Sequence, residues 1–480
     1  MQKGSPLLSS VVVCRNSQGA EITANILRLR RYSVAFEVYN PYSILQLSEV
    51  LRDFRIRIGD RVVYQGEAVV AGLVNTGILL VCEATLGNAW LDVDFLSDRE
   101  GREPLDTQFD SFVHDWKRAH EVDANFKLTV ADMQNLLIGL QRWLEQIDLD
   151  IRATATMDRV TLEREVINQL ETRVIEEVAP LMTGFEDAVR NVQDGREATH
   201  KFYVRRQIHP LVLCSPFTYR TFHKPLGYAG DYEMVNMMVR DPYEGGSLFA
   251  KILNRAFLQS APVEAHRNRI DYLVDVLRTH AEKNVQAGRR TRVLNLGCGP
   301  AHEVQRFLET EEVSDMCDFT LLDFNEETIE YTNKRLTQAR TQNGRVTPIN
   351  VIQRSVHQLL RQASTGDVDL PWESFDIVYC AGLFDYLSQR VCKRLTELFY
   401  RLLVPGGFMT VTNVSASNPN KSWMEYILEW NLIYRDDPGM LDLTPGGVDH
   451  GESELRRDET GVNLFLEIRK RAANGGGRKK

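Results

Sequence analysis

The feature that most constrains this chain is an alternation of apolar strands and amphipathic helices between Arg292 and Asn413. Arg292–Leu296, Phe319–Asp323, Thr347–Gln353, Phe375–Ala381 and Phe408–Asn413 read as buried strands. His302–Glu309, Glu326–Gln342, Val356–Gln362 and Gln389–Leu403 read as the helices between them. Strand–helix repetition in this order makes a parallel sheet with helices on both faces. Such sheets bind ligands beyond the carboxyl ends of their strands, so the loops after these strands are where chemistry is sought.

The first of these loops, Gly297-Cys298-Gly299-Pro300-Ala301, runs directly into the helix at His302. Glycines at 297 and 299 let a ligand approach backbone where a side chain would collide with it. The helix then offers N–H groups and the positive end of its dipole to an anion, either a methionine carboxylate or a pyrophosphate. G-x-G-x-A is a weak pattern alone. It gains weight from Asp323, which ends the next strand 26 positions beyond Gly297. A carboxylate there accepts both hydroxyls of a ribose. Phe324 follows, placed to face an adenine, and Ser355 lies in the loop after the third strand, where adenine is usually flanked. The fourth strand leads into Ala381-Gly382-Leu383-Phe384-Asp385-Tyr386, and Leu403-Val404-Pro405-Gly406-Gly407 feeds the fifth.

On these residues Arg292 to Asn413 resembles a class I S-adenosylmethionine-dependent methyltransferase, in which L-x-x-P-G-G before the fifth strand is habitual. More narrowly, Lys224-Pro225-Leu226-Gly227-Tyr228-Ala229-Gly230-Asp231-Tyr232, the Gly297–Val304 turn, Tyr379–Tyr386 and Asn431-Leu432-Ile433-Tyr434-Arg435 resemble a bacterial subfamily. Its members are labelled extracellular factor 3-hydroxypalmitic acid methyl ester biosynthesis proteins, and the resemblance spans about Tyr203 to Arg469. It implies a Rossmann-like domain of seven strands over residues 203–480, with a helical lid at its N-terminal end. It also implies S-adenosyl-L-methionine as donor and a small-molecule acceptor, such as the carboxylate of a hydroxy fatty acid. The family's donor contacts carry over to Gly297, Gly299, Asp323, Ala381 and Gly382, and Cys298, Phe324 and Ser355 complete the expected donor set.

On the acceptor side the expected catalytic residues are Tyr228, Asp231 and Tyr386. Tyr228 and Asp231 lie in a Gly-rich loop with two readings. One is a lid that excludes water and orients the methyl group. The other is a tight turn on Gly227 and Gly230, with Asp231 capping a helix around Met234–Val239. Asp385 and Tyr386 either position the acceptor or pack as neighbours of Phe384. His302 reads as a first-turn helix residue, His357 as a surface histidine, and Asn413 as a further acceptor or cofactor contact. Trp423, Trp430 and Tyr434 read as core or pocket wall. No Ser–His–Asp or Cys–His arrangement is evident. A sulfonium methyl carries its own leaving group, so alignment supplies most of the acceleration. A carboxylate acceptor needs no base, whereas an alcohol does.

Residues 1–103 carry short strand-like runs punctuated by turns: Ser10–Cys14, Ile22–Leu29, Ser33–Val38, Arg55–Ile58, Arg61–Tyr64, Ala68–Leu73 and Gly77–Cys82. These predict a small β-barrel. It resembles a PilZ domain, which elsewhere senses cyclic di-GMP through R-x-x-x-R and D/N-x-S-x-x-G. Leu27–Ser33 fits neither pattern, which favours a structural or partner-docking barrel. Residues 104–202 turn helical: Leu162, Val166, Leu170, Val174 and Val178 recur every fourth position, and Pro180 is set to end or bend that helix. The barrel or this helical region is the surface expected for a protein partner or a dimer.

A formal net charge of −9 argues against a nucleic-acid binder, and the fourth strand is not followed by the D/N-P-P-Y of amino-group base methylation. A nicotinamide dehydrogenase fits the Pro-Gly-Gly turn badly. A regulatory protein that uses the fold to sense a ligand is the second expectation. Seven scattered cysteines without a C-x-x-C pair imply reduced thiols and no metal site. The amino end lacks a signal-peptide core and no apolar run is long enough to span a bilayer, so a cytoplasmic location is expected.

Overall fold

Alternating apolar residues close the first strands on themselves. The computed structural model describes residues 10–17, 19–30, 32–38, 45–58, 61–75, 80–87, 106–107, 109–110, 113, 121–154, 156–193, 195–366, 370–449 and 451–472. Within these, β1 (Ser10–Arg15), β2 (Glu21–Leu29), β3 (Ser33–Val38), β4 (Val50–Ile58), β5 (Arg61–Asn75) and β6 (Leu80–Leu86) form a closed barrel in the order β1-β2-β3-β6-β5-β4. Val12, Val34, Phe36, Phe54, Ile56 and Cys82 fill it. Arg61–Tyr64 and Ala68–Leu73, expected as two strands, are one. Gln65 and Gly66 keep pairing with Arg55 and Phe54, so no turn forms there. A Cβ at Gly66 would stand 2.9 Å from the Tyr64 hydroxyl, so this glycine makes room for a ring. β4 starts five residues earlier than expected, because a bulge with Asp53 at φ 50° absorbs the break in alternation. The first part of the expected strand Gly77–Cys82 lies outside the described residues.

The helices that follow include α1 (Ala124–Ala153), α2 (Thr156–Arg190), α3 (Glu197–Val212), α4 (Pro216–His223), α5 (Tyr232–Val239), α6 (Leu248–Leu258) and α7 (Ala261–Gln286). Asp123 caps α1 by accepting from the Asn125 and Phe126 amides, and Phe126, Val130, Met133 and Leu137 are buried at helical spacing. The predicted stripe lies on α2, but Pro180 does not end it. Packing beyond the proline outweighs one lost backbone bond: the Phe185 ring lies 5.8 Å from that of Phe126 and 6.2 Å from that of Trp423. Trp423 is thus core.

The chain divides into two units. The first is Met1–Ala229 with Asp241–Leu258 and Pro419–Asn431, and the second is Gly230–Arg240 with Gln259–Asn418 and Leu432–Lys480. In the first, the short helix Lys421–Tyr426 is capped by Glu186, whose carboxylate accepts from the Ser422 and Trp423 amides at 2.9 Å each. Ser48 exchanges hydrogen bonds with the Asn431 backbone.

The second unit is built on seven strands: β7 (Thr291–Leu296), β8 (Cys317–Asp323), β9 (Ile349–Gln353), β10 (Phe375–Cys380), β11 (Leu403–Val414), β12 (Ser453–Arg457) and β13 (Asn463–Arg469). Their order is β12-β13-β11-β10-β7-β8-β9. The first five are parallel, and β13 runs antiparallel to β11 and β12. Helices α8 (His302–Thr310), α9 (Glu326–Gln342), α10 (Val356–Thr365) and α11 (Gln389–Leu402) connect the parallel strands. Alternate residues serve opposite faces: Val293, Phe319 and Ile377 pack with α7 and α8, while Leu294, Leu322 and Val378 pack with α11. The five parallel strands match those expected. The Pro405-Gly406-Gly407 stretch, read as a turn, is taken into β11: Gly406 donates to the Lys470 carbonyl, and the Lys470 amide to that of Gly407. Among the described residues no helix is long and apolar enough to cross a membrane, and all seven cysteines are free.

Buried Asp376, on β10, pins the start of β7: its oxygens accept from the Arg292 amide at 2.9 Å and from Arg289 at 2.6 Å. Asp376→Ala leaves that amide stranded, with an expected loss of about 1–3 kcal/mol. Urea unfolding checks this, and an unchanged midpoint contradicts it.

Candidate active site

The order of the parallel strands reverses between β7 and β10, so their carboxyl ends open the crevice in which such sheets bind ligands. The glycine turn stands there. The Gly297 and Cys298 amides both donate to the Leu322 carbonyl at 2.8 and 3.0 Å, folding the chain toward β8. Gly297, Gly299 and Ala301 hold φ of 72°, 50° and 51°, the left-handed region that glycine adopts at least cost. A Cβ at Gly297 would press on Leu383 at 3.2 Å, whereas one at Gly299 would point into open space. Position 299 thus leaves a gap beside bare backbone.

Asp323, at the end of β8, bonds to this backbone. Its Oδ2 accepts from the Gly299 amide at 3.1 Å, and its Oδ1 accepts from the Asn325 amide at 3.0 Å. The Thr332 hydroxyl, on α9, donates to the Gly299 carbonyl at 2.6 Å. Burial raises the Asp323 pKa, while the backbone amides of Asn325, Gly299 and Phe324 oppose the shift. The distant acid and the glycine turn, joined only by spacing in the sequence, are therefore one hydrogen-bonded unit.

The other residues expected to meet the donor are disposed as follows. Gly382, at φ 91°, donates to the Thr412 hydroxyl at 3.0 Å, and Ala381 precedes it half-buried. Phe324 is half-buried, and its carbonyl accepts from Gln353. Ser355 caps α10 in a reciprocal pair with Gln358. Cys298 is buried, and burial pushes its thiol well up, which removes it as a nucleophile.

Of the residues expected on the acceptor side, Asp231 accepts from the Met234 amide at 2.8 Å, the capping bond of the second of its two readings. A Cβ at Gly230 would stand 2.7 Å from the Tyr386 hydroxyl, so that hydroxyl lies directly against the 230 turn. Tyr232 donates to Glu327 at 2.8 Å and packs its ring 4.6 Å from that of Tyr331, and Arg267 donates to the Met238 carbonyl. Gly230–Val239 is thereby fastened to the loop after β10, to α9 and to α7. Tyr228 belongs to the other unit.

Asp385 and Asn413 prove to be framing residues. Asp385 accepts from the Val414 amide at 2.6 Å, and Asn413 donates to the Val414 and Ile433 carbonyls. Arg435 donates to Asn413, to the Phe384 carbonyl at 2.8 Å and to the Leu387 carbonyl at 2.7 Å, holding the loop after β10 in shape. Sequence reasoning missed Glu303, buried and accepting from the Tyr379 hydroxyl at 2.8 Å and from Asn295 at 3.2 Å. It also missed Arg269, whose guanidinium lies 3.0 Å from where a Gly382 Cβ would be. The available signal was a basic residue one turn from buried Ala265 and Leu273 on an otherwise apolar helix face.

Residues 288–449 match the family model described as a methyltransferase domain. An uncharacterized protein of Rickettsia prowazekii (strain Madrid E) is 23% identical over 121 residues, which are 25% of this chain and 42% of that protein. The chain thus spans less than half the length of this curated relative. Among solved structures, the N-methyltransferase NodS of Bradyrhizobium japonicum, in complex with S-adenosyl-L-homocysteine, is 15% identical with a TM-score of 0.31, covering 50% of this chain and 97% of that one. A possible exported protein of Bordetella parapertussis is 16% identical with a TM-score of 0.40, covering 53% and 86%.

Burial pushes the Asp385 carboxyl up to about 6, against the Val414 amide and the guanidinium groups of Arg269 and Arg435. The folded state then holds a proton that the unfolded chain releases between roughly pH 4 and 6, so this residue costs stability as pH rises through that window. Asp385→Asn removes the titration and keeps an acceptor for Val414. Its stability relative to the parent should improve by about 2–3 kcal/mol from pH 4 to 6.5 in urea titrations. A difference that does not change with pH contradicts the assignment.

Proposed function

We propose that this chain is an S-adenosyl-L-methionine-dependent methyltransferase acting on a small-molecule carboxylate, of which a hydroxy fatty acid is the example its subfamily resemblance offers. The observation that carries the reading is the hydrogen bond between the Gly299 amide and the Asp323 carboxylate at the carboxyl ends of β7 and β8, inside a matched methyltransferase domain. The residues fit an adenosyl donor: the side of Gly299 that a Cβ would fill is open, and a carboxylate with spare lone pairs stands beside it. When bound, S-adenosyl-L-methionine supplies a methyl group on a sulfonium that needs no further activation.

The protein's own part is binding and alignment. Asp323 accepts the ribose hydroxyls, while Gly297, Cys298 and Gly299 offer backbone at close approach. Phe324 and Ser355 border the adenine, and Ala381 and Gly382 border the methionine end. Asp231 and Tyr386 shape the acceptor side, with the 230 turn excluding water from the transfer. A carboxylate acceptor accounts for the lack of a general base among these groups: the thiol of Cys298 is held protonated by burial, and Asp385 is committed to Val414. Residues 203–480 form the methyltransferase part on this reading. The barrel within 1–103, with its PilZ-like character, and the helices of 104–202 serve partner or dimer contacts rather than chemistry.

The test is transfer of labelled methyl from S-adenosyl-L-methionine to 3-hydroxypalmitate, with the parent chain and Asp323→Ala compared. The parent should yield a labelled methyl ester. The variant should lose at least about tenfold in donor affinity by calorimetry, the worth of charge-assisted bonds to two hydroxyls. Unchanged donor binding in the variant removes the basis of the proposal.

A further inference from the structure

Two stretches singled out in the sequence, residues 224–232 and 431–435, take no part in the donor site. Each crosses from the first unit to the second, one between Ala229 and Gly230, the other between Asn431 and Leu432. Beyond those crossings they build the acceptor-side frame. Gly230 stands against the Tyr386 hydroxyl. The Ile433 amide donates to the Asp385 carbonyl at 2.7 Å, and Arg435 holds the carbonyls of Phe384 and Leu387.

Ahead of the crossings both stretches are fastened inside the first unit. The carbonyls of Tyr426, Ile427 and Leu428 accept in turn from Arg205 at 2.7 Å, His209 at 2.9 Å and Lys224 at 3.1 Å. Arg205 also pairs with Glu429, which holds left-handed backbone at φ 51°. Lys224 is fully buried, so its ammonium ties the first stretch to the residues just ahead of the second. The barrel grips the same two segments. The Ser48 hydroxyl donates to the Asn431 carbonyl at 3.0 Å and accepts from its amide. The Val50 amide donates to the Gly227 carbonyl at 2.7 Å, and Arg52 to the Pro225 carbonyl at 3.0 Å.

Ser48 is itself buried at φ 60°. A residue with a side chain stays in that region only where its surroundings over-determine it. Glu49 does so here: its carboxylate accepts from the Ser17 amide and hydroxyl and from the Gln46 amide, at 2.6–2.8 Å. The turn into β4 is therefore a rigid anchor.

We infer that Ser48 and Lys224 are positioning residues for methyl transfer, through which the barrel sets the two segments that continue into the acceptor-side loops. The inference rests on the methyltransferase reading. It gives the barrel a part in transfer without contact to substrate, and no part in donor binding. The 297–301 turn and Asp323 are held by bonds of their own sheet. Transfer is more sensitive than affinity to a small displacement of the loops, because it needs the reacting atoms aligned.

The experiment compares the full chain with Ser48→Gly and Lys224→Met. Glycine adopts φ 60° at least cost, so Ser48→Gly removes the hydroxyl and leaves the backbone unstrained. Three readouts are taken: calorimetric binding of S-adenosyl-L-homocysteine, deuterium uptake by segment, and kcat and KM for labelled methyl transfer to 3-hydroxypalmitate. Both variants should bind S-adenosyl-L-homocysteine within about twofold of the parent, which also shows that the second unit is folded. Uptake should rise several-fold in residues 230–239 and 384–387 and stay unchanged in 295–301. The fall in kcat should be about tenfold to a hundredfold. Unchanged uptake in the two acceptor-side segments overturns the inference, as does an equal rise in 295–301 or a parental kcat in both variants. A parent that binds no S-adenosyl-L-homocysteine sinks the methyltransferase reading instead, and one that binds it but leaves 3-hydroxypalmitate unmethylated sinks only that acceptor. In either case uptake still decides whether the barrel sets the loops.

Discussion

The site depends on one hydrogen bond, from the Gly299 amide to the Asp323 carboxylate. It joins the ends of two neighbouring parallel strands and fixes where the turn after β7 stands relative to the turn after β8. The bond is possible only because Gly297 and Gly299 adopt left-handed backbone, which aims the amide across at β8 rather than up the helix. Burial raises the Asp323 pKa, and the backbone amides that pull it back toward ionisation are those that locate it. The same bonds thus place the carboxylate and favour its charge, which makes it a strong acceptor for neutral hydroxyls.

Around this bond the second unit builds a frame that reaches residues far apart in sequence. Arg435, almost sixty residues beyond β10, holds the carbonyls of Phe384 and Leu387 and so sets the loop that carries Tyr386. Gly230, some 150 residues before β10, receives the Tyr386 hydroxyl. Loops usually carry the chemistry of a fold because a rigid scaffold positions them. Here much of that rigidity comes from side-chain-to-carbonyl bonds, since the loop after β10 has only a single short turn of its own.

Much of this was legible in the sequence, for identifiable reasons. The parallel strands announced themselves because a strand covered on both faces must be apolar along nearly its whole length, as Phe375–Cys380 is apart from Asp376. Gly297, Gly299 and Asp323 were legible because a tight turn and a strand-end acid admit few residue types. The β12–β13 hairpin was not read, because Ser453–Arg457 carries a single apolar residue, Leu455, and so lacks a strand pattern. The roles of Asp385 and Asn413 were not legible either: a polar residue at a strand end looks alike whether it faces a ligand or holds Val414 and Ile433. Arg269 escaped notice because its place beside Gly382 is three-dimensional and its helix otherwise reads as ordinary core.

The most direct measurement is a crystal structure with S-adenosyl-L-homocysteine bound. The account predicts the ribose hydroxyls on the Asp323 oxygens, with the amino-acid end running past Gly297 and Gly299 toward Gly382. A nucleoside seated elsewhere, with the side chain of residue 323 turned from it, would contradict the account.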